Sequence, residues 1–115
     1  MKAPFPYFGG KSRISSQVWE RFGDVARYIE PFAGSLAVLL ARDTPGRYET
    51  VNDLDGYVSN FWRSVKHDPD EVAYHADWPV NERDLAARHY WLVTDGRDRL
   101  AVLDGDPDGY DAQVA

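Results

Sequence analysis

The succession that most restricts this chain begins with an apolar run ending at Glu30 and a break through Pro31, Phe32, Ala33, Gly34 and Ser35. A further apolar stretch follows, and then a second run that ends at Asp53, 23 residues after Glu30. That is the layout of a parallel strand–helix–strand crossover. In such a unit, a small-residue turn after the first strand lets a ligand approach the backbone, and an acidic residue after the next strand meets ribose hydroxyls roughly 20 residues on. The spacing therefore predicts a nucleoside-binding βαβ unit. Asn52, Asp53, Leu54 and Asp55 also suit a plainer reading as a helix start, since Asx residues are favoured caps. The two readings are compatible if Asp55 caps while Asp53 receives the ribose.

With 115 residues, 43% apolar and 14% aromatic, the chain is large enough to build a core without disulfides. A complete doubly wound nucleotide-binding domain uses about five or more strands. Only two are legible, over 26–30 and 48–52. The expectation is an α/β fold for which this chain looks short, with sheet edges and crossover helices left uncovered. Such a chain exposes apolar surface and tends to self-associate. There is no cysteine, which removes disulfides, thiolate zinc sites and cysteine nucleophiles and suits the cytosol. The longest apolar run, 36–41, is far below the roughly 20 residues of a membrane span, and the N-terminus lacks a signal peptide's apolar core. The chain is expected to be cytoplasmic, without a membrane partner.

Helical periodicity supplies the other elements. Ile14, Val18, Trp19 and Phe22 share one face of a helix that Ser12 can cap and Gly23 stops. Residues 35–42 form a short helix packed on the sheet, ended by Asp43, Thr44, Pro45 and Gly46. Val58, Phe61, Trp62 and Val65 recur at three and four, so a crossover helix spans 55–66. Asp68, Pro69 and Glu71 open another helix, which Trp78 and Pro79 break. Asn81 caps a further one, up to about Thr94. The pattern is weak from Asp95 onward, and Asp104 to Tyr110 reads as a loop. Residues 1–66 thus hold the crossover unit and residues 67–115 a helical region. The four tryptophans lie on apolar faces, which favours core packing over base stacking.

Charge divides the same way. Residues 1–66 carry nine Lys/Arg against seven Asp/Glu, and residues 67–115 carry four against twelve. A phosphate backbone is gripped by positive charge, so the second half by itself is a poor DNA-binding surface. Its acids are most simply a solvated face. His67, His75 and His89 match no common metal spacing, and no metal is expected.

Tyr7, Phe8, Gly9, Gly10 and Lys11 set two glycines beside two rings and a lysine. The plain reading is a turn before a helix. The alternative is a ligand loop, in which backbone, ammonium and ring meet a carboxylate or phosphate, a base or a cation. A phosphate loop is excluded: its first glycine would fall on Phe5, with no strand able to precede it.

Taken in order, Tyr7 to Lys11, Tyr28 through Ser35 with Ala37 and Val38, and Asn52 to Asp55 continuing through Asn60, Lys66 and Pro69 resemble the Dam-like, class D12, DNA adenine N6 methyltransferases. The resemblance implies a Rossmann-like S-adenosylmethionine-dependent methyltransferase fold, N-terminal part only, followed by the start of a helical target-recognition segment. It implies S-adenosylmethionine as cofactor, with Lys11 near the methionine carboxylate and Tyr7 near the methionine part or the sulfonium. Phe32 and Gly34 would shape the pocket, and Asp53 would hold the ribose. Double-stranded DNA is the implied partner of the complete protein, as in restriction-modification, with the target adenine flipped out and methylated on its exocyclic nitrogen. Two departures stand out. Leu36 occupies the place of the family's usual second glycine, and the catalytic Asp-Pro-Pro-Tyr strand end does not occur. Asp106, Pro107, Asp108, Gly109 and Tyr110 lack the second proline and an apolar lead-in. No catalytic residue is assigned, and the chain alone is expected to be inactive. The alternative is a non-catalytic nucleoside-binding or protein-interaction module.

Overall fold

The computed structural model describes residues 1–104. The expected loop at Asp104 to Tyr110 lies, beyond its first residue, outside them. The chain divides into two compact units, residues 1–59 and residues from Asn60 on.

In the first unit, helix α1 (Ser15–Phe22) leads to strand β1 (Arg27–Glu30). Helix α2 (Ala37–Leu40) and strand β2 (Tyr48–Val51) follow. The strands pair in parallel, with Arg27 opposite Tyr48 and Glu30 opposite Val51, so the crossover read from the sequence is present. The ladder runs past the strand ends: Asn52 N–H donates to Glu30 O, and Ala33 N–H donates to Asn52 O, each at 2.9 Å. Those bonds hold the turn after β1 beside the segment that carries Asp53.

The core of this unit is Tyr28, Ala33, Leu36, Ala37 and Val38. Trp19 ties α1 to α2 by donating its indole N–H to Val38 O at 2.7 Å, and its ring lies 4.7 Å from that of Tyr28. Arg42 closes the same corner. Its guanidinium pairs with Asp24 at 3.0 Å and Glu49 at 3.6 Å, donates to Val25 O and lies over the Trp19 ring. Burial alternates along β1, with Tyr28 and Glu30 inside and Arg27 and Ile29 outside. Ile29 is 68% exposed, so the outer face of β1 is open among the described residues.

Three local expectations need correction. Ser12 does not cap α1: the cap residue is Ile14, without a side-chain bond. The chain first makes a turn, Ile14 N–H to Lys11 O, and the Ser15 hydroxyl donates back to Ser12 O. Gly23 does end the helix, at φ 65°. The helix expected over 35–42 is only four residues long: it starts late because Leu36 sits at φ 55°, ψ 30°, a left-handed geometry that cannot propagate a right-handed helix, and it ends at Leu40, where Ala41 and Arg42 N–H bond three residues back to Val38 O and Leu39 O. Trp78 and Trp91 are not core residues, being 42% and 44% exposed. Trp78 instead meets Tyr74 edge to face and His75 at a tilt, with the Arg88 guanidinium over its ring.

Helix α3 (Gly56–His67) starts where Asp55 accepts from Tyr57 N–H at 2.9 Å, the capping role foreseen for Asp55. The second unit continues with α4 (Pro69–Ala76) and α5 (Glu82–Trp91). Their starts match expectation: Asp68 accepts from Glu71 N–H, and Asn81 accepts from Arg83 and Asp84 N–H, each at 3.0 Å. A π-helical turn (Leu92–Gly96) then runs into α6 (Arg97–Asp104), a helix the sequence reading missed. No strand occurs in this unit among the described residues.

Candidate functional site

The turn after β1, the segment after β2 and the N-terminal arm enclose a cleft of about 260 Å³. Tyr7, Lys11, Phe32, Gly34 and Asp53 all line it, together with the neighbouring arm and turn residues. Residues 46 positions apart in sequence are thus brought to one place (53 − 7 = 46).

Asp53 is fixed by the turn it faces. One carboxylate oxygen accepts from Gly34 N–H at 2.8 Å and the other from Asp55 N–H at 3.0 Å. The Ser59 hydroxyl donates to its carbonyl. An ionised carboxylate offers about four acceptor sites, so half of that capacity remains for a ligand.

Gly34 sits at φ 49°, and a Cβ there would come within 2.7 Å of the Tyr7 ring. The tyrosine therefore lies flush against the turn because residue 34 has no side chain. Burial, and then the charges of Asp53 and Asp55, raise the pKa of the Tyr7 hydroxyl. It stays protonated at neutral pH and can donate. Gly10 N–H donates to Tyr7 O at 2.9 Å, which closes the arm into a tight turn. The Phe32 side chain, 76% exposed, and the fully exposed Phe8 stand at the rim.

The Lys11 ammonium crosses from the arm to the end of β1. It donates to Phe32 O at 2.5 Å and pairs with a Glu30 carboxylate oxygen at 3.3 Å. Glu30 is 3% exposed. Its other oxygen accepts from Leu39 N–H, and its charge and hydrogen bond, after burial, push the Tyr28 phenol above its ordinary range. This ion pair escaped the sequence reading, although a signal was present. Alternation along β1 puts Glu30 on the inward face with Tyr28, and a buried carboxylate requires a cation.

The model of the D12 class N6 adenine-specific DNA methyltransferase family matches residues 7–99. The chain belongs to that family. The match spans both the cleft and most of the helical unit, and membership relates the chain to enzymes that act on adenine in DNA. No curated protein and no solved structure matches it. For this D12-class chain, Leu36 at the expected second-glycine position adopts the positive φ that glycine adopts without strain. Among the described residues, no helix is long and apolar enough to cross a membrane.

Proposed function

We propose that the cleft binds S-adenosylmethionine and that the chain supplies the cofactor half of a site-specific adenine N6 methyltransferase acting on double-stranded DNA. The observation that carries this reading is the convergence of Tyr7, Lys11, Phe32, Gly34 and Asp53 on one cleft. The chemistry of the lining fits the ligand. Asp53 has acceptors left for a ribose diol, the Lys11 ammonium keeps N–H capacity for the methionine carboxylate, and the Tyr7 ring suits a sulfonium. The cleft is slightly below the roughly 300–1,000 Å³ usual for ligand sites, and the exposed rings of Phe8 and Phe32 extend its wall.

The cofactor would supply the methyl group, and the chain's own residues bind and orient it. Residues 1–66 are the partial Rossmann-like domain in this reading, and residues 67–115 begin target recognition. Because Asp-Pro-Pro-Tyr does not occur in the sequence, the chain alone binds cofactor without methylating DNA. The exposed sheet face supports self-association, and the absence of cysteine suits a cytoplasmic setting.

Calorimetric titration of S-adenosylmethionine into the wild type and Asp53→Ala tests the proposal. Saturable heat for the wild type and an affinity at least about tenfold weaker for the variant, or about 1.4 kcal/mol, are expected. Equal heats for both proteins, or none for either, would refute it. A non-catalytic nucleoside-binding module is the second reading, favoured by the missing tetrapeptide. Formation of N6-methyladenine by the chain alone would rule that out.

A further inference from the structure

The structure assigns to Lys11 and Glu30 a shared role as a clamp: their ion pair positions the Tyr7–Lys11 arm as a wall of the adenosyl site. This rests on the cofactor reading above and goes beyond it. The arm reaches the rest of the first unit at two points of the cleft. One is the Tyr7 ring, seated flush on Gly34 where a Cβ would approach within 2.7 Å. The other is the Lys11 ammonium, held by Phe32 O at 2.5 Å and Glu30 at 3.3 Å.

The ammonium thus spends one hydrogen bond on Phe32 O and faces a Glu30 oxygen that has no hydrogen-bond partner of its own, although the lysine side chain is 34% exposed. Glu30 is in turn held by Leu39 N–H at 3.2 Å and by the hydroxyl of Tyr28, itself a core residue. The carboxylate is therefore a fixed anchor, and the lysine ties the arm to it. A residue that served only to contact a ligand carboxylate would not need a buried anion 3.3 Å away, since that anion repels the same ligand group. A clamp does need it. Releasing the clamp frees the arm and takes the Tyr7 ring with it, so the whole adenosyl ligand loses a wall, not only its amino-acid end.

The test compares S-adenosylmethionine with 5′-methylthioadenosine, which keeps the adenosyl and thioether groups but has no carboxylate. Binding of each is measured for the wild type, Lys11→Met, Glu30→Gln and the double variant, alongside thermal unfolding. Lys11→Met should weaken 5′-methylthioadenosine roughly tenfold, as expected when an ordered wall is lost. It should also lower thermal stability, because a buried carboxylate is left unpaired.

The double variant carries no unpaired charge, so it should regain stability while remaining weak for both ligands. It also serves if Lys11→Met does not fold. Affinity that returns together with stability would reduce the pair to a structural role and overturn the inference. So would a Lys11→Met variant that loses S-adenosylmethionine but binds 5′-methylthioadenosine as the wild type does, which would make Lys11 a carboxylate ligand only. A wild type that binds S-adenosylmethionine but not the thioether nucleoside would overturn it as well. Failure of the wild type to bind either ligand would remove the cofactor reading, and the clamp with it.

Discussion

Replacing Gly34 by alanine probes the point where backbone conformation and cleft shape meet. Residue 34 sits at φ 49°, and its built Cβ would fall 2.7, 2.9 and 3.2 Å from Cδ1, Cε1 and Cγ of Tyr7. Left-handed geometry costs an L-residue about 1–2 kcal/mol. The stiffer unfolded chain returns about 0.4–1 kcal/mol of that. The tyrosine ring must also turn aside, and an off-rotamer side chain costs about 0.5–1.5 kcal/mol. Together these give a destabilisation of about 0.5–3 kcal/mol, of which only the ring part depends on Tyr7. Urea unfolding of Gly34→Ala, Tyr7→Ala and the double variant separates the parts. Coupling between the two sites should be about 0.5–1.5 kcal/mol, above the roughly 0.3–0.5 kcal/mol scatter of independent sites. Additive effects, or a Gly34→Ala protein as stable as the wild type, would refute the claimed contact between ring and turn.

Leu36 tests strain in the opposite sense. Leu36→Ala and Leu36→Gly both lose a buried side chain, but only glycine relieves the positive φ, so the glycine variant should be at least as stable as the alanine variant by urea unfolding. A glycine variant weaker by about 1 kcal/mol, the usual helical difference, would show the leucine to be unstrained. Arg42→Met removes a guanidinium, 6% exposed, from Asp24, Val25 O and Glu49. It should cost about 1–3 kcal/mol, the worth of a charged hydrogen bond, because Asp24 is itself largely solvated. Thermal unfolding unchanged from the wild type would argue against this corner.

Alkaline pH gives another check. The folded protein holds the Tyr28 proton more tightly than the unfolded chain, because of burial first and Glu30 second. Stability from this group is therefore full below the unfolded pKa of about 10 and is lost as pH rises above it. The Tyr7 shift has the same sign. Tyr28→Phe should flatten the decline in unfolding midpoint above about pH 10, and an equally steep decline would contradict the assignment.

The strand pair, the turn and the acidic residue after β2 were legible because each rests on spacing and residue type over a short stretch. The caps at Asp55, Asp68 and Asn81 were legible for the same reason. What the sequence concealed depends on contacts between distant residues. A leucine gives no sign that it will adopt the left-handed geometry that shortens α2. Nothing local marks Ser12 for a turn instead of a cap. The final helix was hidden by Gly96 and by the alternating charges of residues 95–99. It persists where the Trp91 ring lies over Gly96, at 3.1 Å from a built Cβ, with Arg99 over the same ring. In the cleft, the five residues were legible as parts. The Lys11–Glu30 pair that holds the arm in place was not, because it joins a loop to a strand 19 residues on (30 − 11 = 19).

The most direct test of the central claim, that arm, turn and Asp53 form one adenosyl site, is amide hydrogen exchange with and without S-adenosylmethionine. The account predicts that the amides of residues 7–11, 32–35 and 53–55 slow together on addition of the ligand, with the second unit unchanged. Protection of only one of these segments, or protection confined to residues beyond Asn60, would contradict it.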